Sequence, residues 1–337
     1  MSSPGAALDA FFRALEDVDP QTARELVLDL LDGGTPLARI AAEVLRPAQV
    51  RVGLLWEQGV WSVADEHAAT AVTEAALDAL ARADRAAGTR PGSVHVVLAC
   101  AEGEWHALPA RMVAALAASR GVRITTLGPS VPADQLGRRL ATGDVDVLAL
   151  SCTVPSNLLG AARCIAAAHA QGVPVLAGGR AFGRTSQRAF AVGADAWSDD
   201  PAALLAAPPA LAGRTCDISP EVLFLDAVDS GVLALAHQRL TSTFPSLLQR
   251  RTGSSADAVE DLRSLARATA AGVLTADATI VDELLVWLRR HTGNRVPDAV
   301  VATSALLLAD AVEPTAPAGA QVLRDAAERF ERAASTV

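Results

Sequence analysis

Between residues 94 and about 200, five short β-rich runs (VHVVLAC, VRITTLG, VDVLALS, VPVLAG and ADAW) are separated by helical segments. Strands that are apolar throughout and alternate with helices belong to a parallel sheet covered on both faces. Residues 93–203 are therefore expected to form a doubly wound parallel-sheet α/β domain. In such a sheet, ligands bind beyond the carboxyl ends of the strands, where the strand order reverses. Three loops should open there: one with His106 after the first strand, one with Ser151 and Thr153 after the third, and Gly178-Gly179 after the fourth. The first of these, CAEGEWHALPARM (residues 100–112), carries a histidine where many α/β domains carry a glycine-rich phosphate loop.

The flanks read differently. Residues 1–88 show apolar positions at helical spacing, with breaks at Asp19-Pro20 and at DGGTP (residues 32–36), which predicts a four-helix bundle. Within LWEQGVWSVADEHAAT (residues 55–70), Gly59 and the box-like Ser62-x-x-Asp65 end one helix just after Trp56 and start the next near Val63. That brings Trp56, Glu66 and His67 to one end of the bundle. After the alanine-rich and proline-rich stretch at 199–214, residues 215–337 return to helix as an all-α domain. It opens with Ser219 as N-cap, Pro220 at the first helical position and Glu221 in the first turn; four or five helices follow.

Composition narrows the function. A net charge of −9 without any basic block argues against a nucleic-acid partner. No apolar run approaches membrane-spanning length, and the start, MSSPGAALDAFFRAL, lacks the features of a secretory signal, so a cytoplasmic location is expected. Cys100, Cys152, Cys164 and Cys216 form no CxxC pair, which argues against a zinc site or a disulfide framework.

Taken singly, a histidine is more often a surface or core side chain than a ligand, and Gly-Gly is usually a turn. Together, Glu104-x-His106-x-x-Pro109, Ser151-x-Thr153 and Gly178-Gly179 resemble the cobalamin-binding signature of methionine synthase, corrinoid proteins and light-sensing repressors. The resemblance implies a flavodoxin-like domain in which His106 is the lower axial ligand of cobalt. Glu104 is then a hydrogen-bond acceptor for the other ring nitrogen, Trp105 belongs to the cofactor-binding set, and the glycines border a slot for the displaced nucleotide tail. Pro109 stands where the family has glycine.

Trp56, nine residues, then Glu66 and His67 resemble the W-x9-E-H motif of B12-dependent photoreceptors, although packing and a solvated first turn would also account for these residues. The resemblance implies adenosylcobalamin beneath the bundle, with Trp56 and Glu66 on its adenosyl group and His67 beside them. Glu57 follows the tryptophan where repressors carry histidine. The order of bundle, cobalamin domain and C-terminal helices resembles the photocobilins, which implies biliverdin as a second chromophore. No cysteine follows Cys216, so a bilin in the third domain must be held noncovalently. His237, Arg239, Arg250, Arg251, Trp287, Arg289, Arg290, His291 and Arg295 could serve it, or could simply be solvated helix faces. The reading is a sensor rather than an enzyme, forming homo-oligomers in a light-dependent way and signalling to a downstream effector. The alternative is a corrinoid shuttle protein for a methyltransferase.

Overall fold

The computed structural model describes residues 4–86, 93–205, 208–244, 255–291 and 296–334. Arg250, Arg251 and Arg295 lie outside them. The N-terminal region comprises α1 (Pro4–Glu16), α2 (Pro20–Asp32), α3 (Leu37–Ile40), α4 (Arg46–Glu57) and α5 (Val63–Ala86). A π-helical turn, Ala41–Leu45, joins α3 to α4, so the two run as one rod and the region has four rods in all. Pro47 explains the turn: it has no N–H to donate, and its ring crowds the carbonyl four residues back. Asp19 caps α2 by accepting from the N–H groups of Gln21 and Thr22. The bundle is held by Phe11, Leu15, Leu37, Ile40, Leu45, Leu77 and Leu80, all essentially inaccessible.

Next come β1 (His95–Cys100), α6 (Ala107–Ser119), β2 (Arg123–Thr126), α7 (Ala133–Ala141), β3 (Val147–Ser151), α8 (Leu158–His169), β4 (Val175–Gly178), α9 (Gln187–Ala191) and β5 (Ala196–Trp197). All strand pairs are parallel, in the order β2-β1-β3-β4-β5. The order reverses between β1 and β3, so the crevice opens at the loops after these two strands. Val96, Leu98, Val147 and Ala149 face α6, whereas Val97, Ala99, Leu148 and Leu150 face the opposite layer with α7 and α8. Helix α6 is shared, because Leu108 and Ala115 also belong to the bundle core.

The last region holds α10 (Pro220–Asp226), α11 (Ser230–Thr243), α12 (Ser255–Thr275), α13 (Thr279–His291), α14 (Asp298–Val312) and α15 (Pro317–Ala334). Ser219 caps α10 by accepting from Val222 N–H. This region is not packed by itself: Ala268, Ala271 and Ile280 are buried in the core of the sheet domain. Arg188 of α9, its side chain only 6% exposed, reaches Asp277 at 2.7 Å and Glu283 at 3.0 Å across the same boundary. Among the described residues, no helix is long and apolar enough to cross a membrane.

Candidate cofactor site

The loop from Ala101 to His106 is fixed from three sides. Glu102 accepts from Ala133 N–H at the start of α7 and from Arg163 of α8. Its backbone lies so close to α8 that a Cβ at Gly160 would stand 2.0 Å from Glu102 O. Gly103, at φ +85°, donates to Ser130 Oγ. Such a loop cannot drift relative to the sheet.

Glu104 is completely buried and uses both carboxylate oxygens. Oε1 accepts from His106 Nδ1 at 2.6 Å and from the His106 N–H at 2.9 Å; Oε2 accepts from the N–H groups of Thr153 at 2.6 Å and Val154 at 2.9 Å. Burial raises the carboxyl, but the hydrogen bonds from His106, Val154 and Thr153 outweigh it and bring Glu104 down to about 2. The hydrogen bond to Glu104 in turn raises His106 against the effect of burial, and the charges of Glu104 and Glu66 add to it. With Nδ1 engaged, Nε2 is the nitrogen free to meet a metal, on a side chain 59% exposed.

Ser151 ends β3, paired in register with Cys100 of β1 and with Gly178 of β4. Gly179 has φ +108° and ψ 163°, a conformation almost confined to glycine, and a Cβ there would stand 2.3 Å from Cys152 O. Thus Ser151, Thr153, Gly178, Gly179, Glu104 and His106 share one sheet edge. Trp105 points outward, 73% exposed, beside the histidine. Pro109 is the third residue of α6, where its missing N–H is one that a helix start leaves unbonded anyway.

Above this edge lies the start of α5. Ser62 and Asp65 cap it reciprocally: Asp65 Oδ2 accepts from Ser62 N–H at 2.8 Å and Ser62 Oγ accepts from Asp65 N–H at 3.2 Å. Glu66 accepts from Thr70 at 3.0 Å and pairs with His67 Nδ1, whose ring is largely solvent-exposed. Arg111 of α6 bridges to Glu74 and Asp78 of α5, holding the two helices side by side. Trp56 does not sit in the bundle core. Its ring packs on His291 at 5.0 Å and Trp287 at 5.8 Å, both on α13, while Glu57 faces Arg290 at 4.0 Å.

Asn157, which approaches Glu104 Oε2 at 3.5 Å, and Glu102, which ties the loop to α7 and α8, carry no local motif and were not legible as site residues in the sequence. Trp287 and His291, open in the sequence to a bilin or to a solvated helix face, pack against Trp56.

The residues present fit a corrinoid. One imidazole is oriented by a buried carboxylate, and among the described residues no cluster of three acidic, cysteine or histidine side chains competes as an ion cage. Burial and the Glu104 charge push the Cys100 thiol up to about 11, so it is no thiolate rival at neutral pH. Two family models, each described as a B12 binding domain, match residues 7–81 and residues 94–206. The chain therefore belongs, over its helical cap and its sheet domain, to the B12-binding proteins, and it is a cobalamin-binding protein. The HTH-type transcriptional repressor CarH of Myxococcus xanthus is 37% identical over 131 residues, 39% of this chain and 42% of the repressor, so the match spans less than half of that relative. The monomethylamine corrinoid protein of Methanosarcina barkeri shares the fold, with a TM-score of 0.52 at 18% identity over 60% of this chain and 96% of that one.

Proposed function

We propose that this protein is a light sensor that binds adenosylcobalamin between the helical cap and the sheet domain, with His106 as lower axial ligand. The observation that carries the reading is geometric: buried Glu104 holds His106 Nδ1 at 2.6 Å and leaves Nε2 free, while Arg111 of α6, the helix that His106 opens, bridges to Glu74 and Asp78 of α5, the cap helix that carries Glu66 in its first turn. An acidic side chain that can accept hydrogen bonds and a metal-facing imidazole thus bound one space. When bound, adenosylcobalamin supplies a cobalt–carbon bond that light breaks.

Trp56 would pack on the adenosyl group, Glu66 would accept its hydroxyl or amine hydrogens, and His67 would border it. Losing that group removes contacts that favour one cap position, and a switch needs such a difference between states. Likeness to a transcriptional repressor supports a regulatory role rather than a metabolic one. The protein would act without catalysing a reaction, in the cytoplasm, through light-dependent association with its own copies and a downstream effector. A second chromophore, biliverdin, would be held noncovalently by the C-terminal domain.

The test is reconstitution with adenosylcobalamin in the dark, then green light, following absorbance and molecular size. Photolysis with no change in oligomeric state would defeat the switching claim. His106→Ala should alter the cobalt spectrum; an unchanged one removes His106 as ligand. A corrinoid carrier for a methyltransferase would use His106 and Glu104 in the same way, and it predicts preference for methylcobalamin and turnover with a partner enzyme. Protein made with biliverdin supplied should gain a far-red band.

A further inference from the structure

The crevice at the sheet edge runs down one face of the sheet. Along β4, Val175 and Ala177, which face α8, are buried, whereas Leu176 and Gly178, on the α6 side, are partly open. Ser151 of β3 pairs with Gly178, lies on the same side as Ala149 by the alternation of a strand, and is partly open too. Both strands are central, where side chains are normally covered on each face, so this one-sided exposure marks a channel between the sheet and α6. On the reading above, on which this inference rests, His106 takes the place of the cofactor's own nucleotide base on cobalt, and the freed tail enters this channel.

Covalent order then fixes what meets what. Base comes first, then ribose, then a phosphodiester with a single negative charge, then the arm that returns to the corrin. With the base deepest, the phosphodiester lies at the mouth, level with Gly178 and Gly179. Arg180 is the next residue. In the turn Arg180–Phe182, Ala181 and Phe182 are buried and Ala181 N–H donates to Cys152 O at 3.1 Å, which leaves Arg180 as the exposed side chain at the edge. It has no carboxylate partner among the described residues, whereas Arg163 of α8 is committed to Glu102 and Asp226, and Arg188 of α9 to Asp277 and Glu283. We propose that Arg180 pairs with the phosphodiester of the inserted tail, so that this protein selects complete corrinoids over those lacking the nucleotide. A planar guanidinium matches two phosphate oxygens at once.

The experiment titrates the full chain in the dark with hydroxocobalamin and with cobinamide, which lacks the phosphate, ribose and base, and follows the visible spectrum. Arg180→Gln is expected to weaken hydroxocobalamin binding about fivefold and to leave cobinamide binding unchanged. Arg180→Lys should restore part of the loss, and high salt should erase the difference between wild type and Arg180→Gln. Arg184→Gln, beyond Gly183, should change neither corrinoid. An equal loss for both corrinoids in Arg180→Gln, or no loss for hydroxocobalamin, overturns the proposal. Failure of the parent reading shows separately, as a spectrum of bound hydroxocobalamin that His106→Ala leaves unchanged. Where that spectrum does change and Arg180→Gln shows no selective loss, His106 stands as ligand and the role of Arg180 alone falls.

Discussion

At the scale of single residues, Glu104 does more than orient His106. Its second oxygen ties the loop after β1 to the backbone after β3, so one carboxylate sets both the ring and the floor of the crevice. Its folded value of about 2 lies below the ordinary 4.5, so the stability it contributes is fully present above about pH 4.5 and is lost as pH falls toward 2. The shift corresponds to about 3 kcal/mol, taking 1.36 kcal/mol per unit. Urea midpoints between pH 5 and pH 2 should show this loss, and Glu104→Gln should start lower at pH 5 and fall less. The Glu104–His106 pairing was legible because the two stand two residues apart in a motif. The bonds to Thr153 and Val154 were not, because they come from backbone N–H groups about fifty residues away that any residue type would supply.

At the scale of elements, the start of α5 determines where Glu66 stands. Ser62 and Asp65 satisfy each other's N–H groups there, and Ser62→Ala leaves the Asp65 N–H without its partner. A loss of about 1 kcal/mol is expected, read as a lower thermal midpoint of the apoprotein. That cap was visible in the letters Ser62-x-x-Asp65, and β1, β3 and β4 were visible because strands buried on both faces read as unbroken apolar runs. The π turn at Ala41–Leu45 was not, since Pro47 sits inside an otherwise regular helical pattern that breaks nowhere in hydropathy.

At the scale of the molecule, the sheet domain and the C-terminal helices act as one body. Arg188 is buried against Asp277 and Glu283, and Asp277 also accepts from Thr279 at the start of α13. Removing Asp277 leaves the buried guanidinium with Glu283, a largely exposed carboxylate, as its remaining ion-pair partner, so Asp277→Ala should cost about 3 kcal/mol in denaturant unfolding, with the sheet and the C-terminal helices melting together. No sequence pattern links residue 188 to residue 277, nor Trp56 to His291, because contacts so far apart along the chain leave no periodic trace. The cap meets this larger body through α6 and through the rings of Trp56, Trp287 and His291. That second meeting depends on angular phase. The turn at Ala41–Leu45 carries one residue more than a regular α-helical turn would, which advances everything downstream by about 100° around the rod axis. Gln49 and Trp56 face α5 and α13 because of that advance. A one-residue deletion well away from the cofactor would therefore rotate both off their partners while leaving every strand in place.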